Sequence, residues 1–179
     1  MPRTRTLILL GGKIASGKDY VANILVKEYG FTRIAFADIL KETVSKRYNI
    51  PLVDLHTQTG KSKMDSAGIS NRQRLIDTAF ELRTIDDNYF VKKALESIKA
   101  PGFYGDVVIS DFRYPNEYSK LVQSLHNTNV VVWTVKLTRE SEVVLDIPSE
   151  TALESFKFDF TLPNESDYVQ SWFKIFLKC

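Results

Sequence analysis

Eight residues, Gly12-Lys13-Ile14-Ala15-Ser16-Gly17-Lys18-Asp19, stand between a continuous apolar run, Leu7-Ile8-Leu9-Leu10, and a stretch with helical apolar spacing at Val21, Ile24 and Leu25. An apolar run without alternation fits a strand buried on both faces, as in a parallel sheet. Strand, glycine loop and helix in that order make a cradle for an anion. Glycines let the backbone wrap closely with its N–H groups inward, the helix presents its positive end, and Lys18 adds a cation. The spacing is Gly-x-x-x-x-Gly-Lys, the pattern of a phosphate-binding loop. Gly30 then stops the helix.

Position 19 departs from that pattern, which usually has Ser or Thr there to bind Mg²⁺ through a hydroxyl. The carboxylate of Asp19 can serve a hard cation directly or through water. An acid is equally at home in the first turn of a helix, where the dipole favours it. Both readings stay open at this point.

The rest of the chain alternates between the two periodicities. Residues 31–36 suggest a short second strand, and 38–48 a helix with Ile39, Leu40 and Val44 on its apolar side. Residues 49–68 are mixed and polar and take no assignment. Residues 72–83 put Leu75, Ala79 and Leu82 on one helical face, and 89–98 do the same with Val91, Ala94, Leu95 and Ile98 before Pro101-Gly102 breaks the pattern. Val107-Val108-Ile109 is a second buried strand ending at Ser110-Asp111, and Pro115 suits the first turn of the helix that follows. Residues 130–137 form a β-branched strand. Residues 138–153 are polar and acidic, a loop or short lid. Phe158, Phe160 and Leu162 alternate with Asp159 and Thr161 as a last strand, and Val169, Trp172, Phe173 and Phe176 make a final helical face. Strands alternating with helices predict an α/β fold with a mainly parallel five-stranded sheet. We read one domain over 1–179, with a helical insertion over roughly 50–99 and a lid over roughly 138–153.

Composition excludes several function classes. Lys plus Arg is 24 and Asp plus Glu is 22, a net charge of +2. That balance does not suit a partner that is a nucleic-acid polymer. The only cysteine is Cys179 and the only histidines are His56 and His126, far apart in sequence. Neither an internal disulfide nor a Cys- or paired-His metal site is expected, which fits a reducing, cytoplasmic setting. No apolar stretch approaches the ~18 residues of a membrane span, and residues 7–10 are too short for a leader's core.

The segment from Gly12 to Tyr20 resembles the variant P-loop of virus-type deoxynucleoside monophosphate kinases, a variant shared with animal-type phosphomevalonate kinase. Further pieces match in the same order. Phe36-Ala37-Asp38-Ile39-Leu40-Lys41-Glu42 is similar to the Phe-Ala-Asp-x-Leu-Lys segment after strand two of the nucleotide enzymes. Arg83 with Asp87-Asn88-Tyr89-Phe90 resembles the arginine and aromatic pair before their third strand. Ser110-Asp111-Phe112-Arg113-Tyr114-Pro115-Asn116-Glu117 resembles their Asp-x-Arg-x-x-Asn-Glu motif, and Ser149-Glu150, Phe158-Asp159-Phe160 and Asn164 resemble the lid end and last strand.

The resemblance implies a three-layer P-loop NTPase fold of the nucleoside monophosphate kinase kind, with a helical substrate-binding insertion. It implies ATP and Mg²⁺ as cofactors, and transfer of a phosphoryl group to a deoxynucleoside monophosphate. A viral protein working in the host cytoplasm, as a monomer or homodimer, is the matching expectation.

Roles follow position by position. Gly12, Lys13, Ile14, Ala15, Ser16, Gly17, Lys18 and Asp19 would hold ATP. Asp19 and Asp111 would serve Mg²⁺, with Asp111 at a strand's carboxyl end, the edge where open α/β sheets bind ligands. Arg113 would grip the acceptor phosphate with its planar fork, beside Asn116. Lys41, Arg74 and Arg83 are further acceptor candidates, and Phe36 would either stack on a base or sit in the core. Arg139 would close from the lid on charge developing at the transferred group, with Glu150 anchoring that lid. Glu117 is explained by the helix N-terminus alone.

Overall fold

The structure is a computed structural model that describes residues 3–139 and 151–177. In chain order its elements are β1 (Arg5–Gly11), α1 (Lys18–Tyr29), β2 (Thr32–Ile34), α2 (Phe36–Tyr48), α3 (Leu52–His56), α4 (Gln58–Ser62), α5 (Asn71–Ile85), α6 (Tyr89–Ile98), β3 (Val107–Ile109), α7 (Pro115–Leu125), β4 (Val130–Thr138), β5 (Phe160–Pro163) and α8 (Ser166–Phe176). They fall into two compact units, residues 1–34 with 98–179, and residues 35–97. Residues 50–97 of the expected insertion fall in the second unit, which also takes in α2.

The first unit is built on the apolar run. Leu7, Ile8, Leu9 and Leu10 are all fully buried because β1 is the middle strand of the sheet. The sheet order is β2-β3-β1-β4-β5, and every pairing is parallel. Leu9 lies between Ile109 of β3 and Thr134 of β4.

Right-handed crossovers then fix the layers. The chain leaves β1 towards β2 through α1 and leaves β3 in the opposite direction towards β4 through α7, so these helices take opposite faces. Side-chain alternation agrees. Ile8, Leu10, Val108, Val135 and Leu137 pack in one cluster with Val21, Ala22 and Leu25 of α1 and Val169 and Phe173 of α8. Leu7, Leu9, Val107 and Ile109 point the other way, towards the face covered by α7, whose Leu121 and Leu125 are buried.

Two boundaries differ from the periodicity. Phe36 opens α2 rather than closing β2, because Ala35 is the last extended residue and Asp38 supplies the acid of a first helical turn. The last strand begins at Phe160, not Phe158. Phe158 is drawn into edge-to-face contacts with Phe112 (5.9 Å) and Phe156 (4.9 Å), and Phe156 also meets Phe112 (5.2 Å) and Tyr118 (5.4 Å). Offset and edge-on ring pairs of this kind are worth about 0.5–1.5 kcal/mol beyond their area. Asp159 still joins the sheet: its Oδ2 accepts from the backbone N–H (2.8 Å) and hydroxyl (2.7 Å) of buried Thr134, whose Oγ1 accepts from the Asp159 N–H at 2.9 Å.

In the second unit, the unassigned stretch 49–68 contains α3 and α4. Both are too short to show an apolar period. The expected lid falls largely outside the described residues, as do Glu150 and Cys179. Among the described residues no helix is long and apolar enough to cross a membrane.

Candidate nucleotide site

The connections from β1 and β3 run in opposite directions, so the carboxyl ends of these two neighbours flank the switch point at which such sheets form their ligand crevice. The glycine loop leaves β1 at that point, and Asp111 leaves β3 beside it. The Phe112 N–H donates to the Leu10 carbonyl at 3.2 Å, and the Ser110 N–H donates to Ile34 at 3.1 Å, so the ladder extends right up to the acid.

The loop needs its glycines for different reasons. Gly12 has φ 140°, and a Cβ there would lie 2.5 Å from the Leu137 carbonyl oxygen of β4. Gly17 has φ 87°, and a Cβ would lie 1.8 Å from Asn164 Nδ2. Between them Ala15 takes φ 60°, a left-handed conformation that an alanine adopts only at a cost. The Ser16 N–H closes a turn onto the Lys13 carbonyl at 3.2 Å, and the Val21 N–H donates to Gly17 at 3.1 Å to begin α1.

Lys18 is only 8% exposed. Its ammonium donates to the carbonyls of Gly12 and Lys13, both at 2.7 Å, and to Ser16 Oγ at 3.3 Å. The cation therefore sits inside the curl of the loop, among the backbone groups that would surround a phosphate. Lys13 and Ile14 are exposed on the loop's outer side. A small cavity of about 40 Å³ adjoins the loop, lined by Gly12, Lys13, Phe112, Lys136 and Phe158 among others.

Asp19 faces outward. Its side chain is 80% exposed, and Arg33 of β2 donates to its Oδ1 at 3.2 Å. Asp111 is half-buried at the end of β3. Arg113 and Tyr114 are held by Glu117, which is 3% exposed and accepts their backbone N–H groups on Oε2 at 2.9 and 3.1 Å. Asn116 lies in the same first turn of α7. Arg139 is exposed, one residue beyond β4, the strand whose Leu137 carbonyl faces Gly12. These residues therefore share one end of the first unit.

The donor set suits magnesium. Mg²⁺ keeps several waters and takes one or two carboxylates with phosphate oxygens rather than an all-protein cage. Among the described residues no three His, Cys, Asp or Glu side chains converge on one point, while Asp111 stands beside a loop shaped for phosphate.

The remaining candidates belong to the second unit. Phe36 is buried in α2. Lys41, with a side chain 16% exposed, donates to Asp38 at 2.8 Å. Arg74 is ion-paired with Asp65 and lies over the Tyr48 ring at 4.4 Å, and Arg83 lies over Phe90 at 4.7 Å. Asn164 is a site residue that motif reading passed over. It matched only as part of a strand end, yet its side-chain amide donates to the Ser16 carbonyl at 2.8 Å. The one available signal was an amide residue directly after the last strand.

No protein-family model matches the sequence, and no curated protein is close enough to match it. Solved structures do resemble it. A candidate kinase from Chloroflexus aurantiacus is 12% identical with a TM-score of 0.54, over 98% of this chain and 97% of that one. The Thermus thermophilus protein TT1252 is 14% identical with a TM-score of 0.54, again over 98% and 97%. An APS kinase from Mycobacterium tuberculosis is 15% identical, over 99% and 97%, at a lower TM-score of 0.44. Such identities speak for architecture alone: five parallel strands between helical layers, with the glycine loop leaving the central strand, make this a three-layer α/β fold of the P-loop NTPase kind.

Proposed function

We propose that the chain is an ATP- and Mg²⁺-dependent phosphotransferase, and that its acceptor is a deoxynucleoside monophosphate. The observation that carries the first part is the inward Lys18 ammonium within a loop whose Gly12 and Gly17 tolerate no Cβ, beside Asp111 at the switch point. A loop of that shape offers backbone N–H groups and one cation to a polyphosphate. Lys18 would exchange loop carbonyls for phosphate oxygens. Asp111 would hold the waters of a magnesium ion, whose chemistry is to neutralise charge on the transferred group. Arg113 and Arg139 would bind the acceptor phosphate and the equatorial oxygens, in the way cationic groups act throughout phosphoryl transfer. The kinase description of the Chloroflexus structure supports this reading.

The choice of acceptor rests on the Phe-Ala-Asp-x-Leu-Lys and Asp-x-Arg-x-x-Asn-Glu resemblances. It is tested by following ADP formation with ATP, Mg²⁺ and each deoxynucleoside or ribonucleoside monophosphate, and separately phosphomevalonate. Stimulation by a nucleotide is expected. Stimulation by phosphomevalonate alone would move the chain to the isoprenoid reaction, and ATP binding without any turnover would make it a nucleotide-binding module. Lys18→Ala should lower transfer by roughly 10²–10³-fold, the scale of losing one preorganised donor.

A further inference from the structure

Four helices of the second unit, two of them within the stretch 49–68 that took no assignment, bring basic side chains together. Lys41 comes from α2, His56 from α3, Lys61 from α4 and Arg72 from α5. The Lys41 ammonium lies 3.3 Å from His56 Nδ1. An ammonium can only donate, so Nδ1 is the acceptor in this contact. Arg72 donates to Gln58 Oε1 at 2.7 Å. Gln58 and Lys61 are three apart on α4 and share a face, so the guanidinium is held on the side from which Lys61 projects.

The scaffold under these groups is specific. α4 has five residues, too few to be stable alone. It is capped by Thr57 Oγ1, which accepts from the Gly60 N–H at 3.0 Å. Gly60 lies so close to α3 that a Cβ would come within 2.3 Å of the Asp54 carbonyl oxygen. From the other side buried Asn71 donates its side-chain amide to the Gly60 carbonyl at 2.9 Å and its N–H to Lys63 at 2.9 Å. Lys61 is thus carried on a clamped turn.

The electrostatics of this arrangement are unfavourable as they stand. Burial first, and then the charges of Lys41 and Arg72, lower the pKa of Lys61. Lys41 has Asp38 as a partner, but among the described residues no carboxylate pairs with Lys61 or Arg72. Gathering like charges costs free energy, and a dianion would relieve it.

We propose that Lys41, Lys61 and Arg72 form a binding site for a phosphomonoester dianion, with His56 accepting from the Lys41 ammonium and holding it in place. The site lies within the second unit and does not rest on the phosphotransfer reading. Two point cations and a guanidinium fork match the oxygens of a terminal phosphate.

The test uses the full chain with saturating ADP to occupy the glycine loop, and inorganic phosphate as the probe, followed by the thermal midpoint. Phosphate should raise the midpoint of the wild type. Lys61→Met and Arg72→Gln should each weaken that response at least tenfold in phosphate concentration while responding to ADP as the wild type does. Lys61→Met should also melt higher than the wild type without phosphate, because it removes a desolvated charge from beside two others. An unchanged phosphate response in both variants, or none in the wild type, overturns the site. Failure of ADP to stabilise the wild type would count against the phosphotransfer reading alone, and the same phosphate comparison, run without ADP, would still decide this one.

Discussion

Asn164 donates its side-chain amide to the carbonyl of Ser16 at 2.8 Å, while its own backbone N–H donates to Thr138 at 2.8 Å. One residue therefore ties the glycine loop to the ends of both β4 and β5. The same amide occupies the space a side chain at Gly17 would need, so loop shape and strand ends are coupled through a single contact.

That coupling can be measured as a double-mutant cycle. Gly17→Ala forces a left-handed alanine, about 1–2 kcal/mol, and displaces the Asn164 amide from Ser16. Asn164→Ala alone should cost about 1 kcal/mol, the worth of one hydrogen bond. The double variant should lose less than the sum by about 1 kcal/mol, because the collision is already gone. Chemical denaturation gives all four stabilities, and strict additivity would mean that the two residues do not restrain each other.

Ala15 is the loop's strained residue, with φ 60°. A glycine accepts this conformation freely, at the expense of ~0.5–1 kcal/mol of extra chain entropy, against ~1–2 kcal/mol of strain removed. Ala15→Gly should therefore be neutral or up to about 1.5 kcal/mol more stable. A loss of about 1 kcal/mol or more in unfolding free energy, read from chemical denaturation, would show that the alanine methyl makes a contact worth more than its strain.

The central strand, the loop and the helix after it were legible because burial on both faces and the phosphate cradle each demand particular residues at particular spacings. Val107-Val108-Ile109 was legible for the same reason. The turn of Phe158 away from β5 was not, because it depends on Phe112 and Phe156, remote in sequence. Nor were α3 and α4, where the ordering forces are a threonine cap, a glycine contact and the Asn71 amide rather than an apolar stripe. Within the site, Lys18 and Asp111 could be placed from motifs, whereas Asn164 acts through one side-chain amide that no spacing announces.

Asp65 shows a shift with a definite sign. Its carboxyl pKa is lowered, first by the Ile69 N–H on the carboxylate, then by Arg74, with the Ala67 N–H adding to it. An unfolded aspartate titrates near ~3.9, so over the window below that value the unfolded chain binds the extra proton. The stabilisation is complete above the ordinary value and is lost as pH falls through the lower folded one. In Asp65→Asn the amide oxygen still accepts from the loop but cannot titrate. The stability gap between wild type and variant should thus be widest near neutrality and shrink on acidification below pH ~4. A gap independent of pH would remove the charge from the explanation.

Glu117 separates positioning from chemistry. It is 3% exposed and accepts the N–H groups of Arg113 and Tyr114. Glu117→Ala removes the acceptor of two part-buried N–H groups, at up to about 1–3 kcal/mol each, and should loosen the turn that carries Arg113. Glu117→Gln keeps an acceptor oxygen in place and should retain most of the stability. If Glu117 only positions that turn, the glutamine variant also keeps most of its transfer rate, with any loss in the acceptor's KM. The alanine variant should lose stability and acceptor affinity together while ADP binding is spared. Transfer abolished in the stable glutamine variant would instead give the carboxylate a direct part in the reaction, and denaturation run alongside steady-state kinetics distinguishes the two.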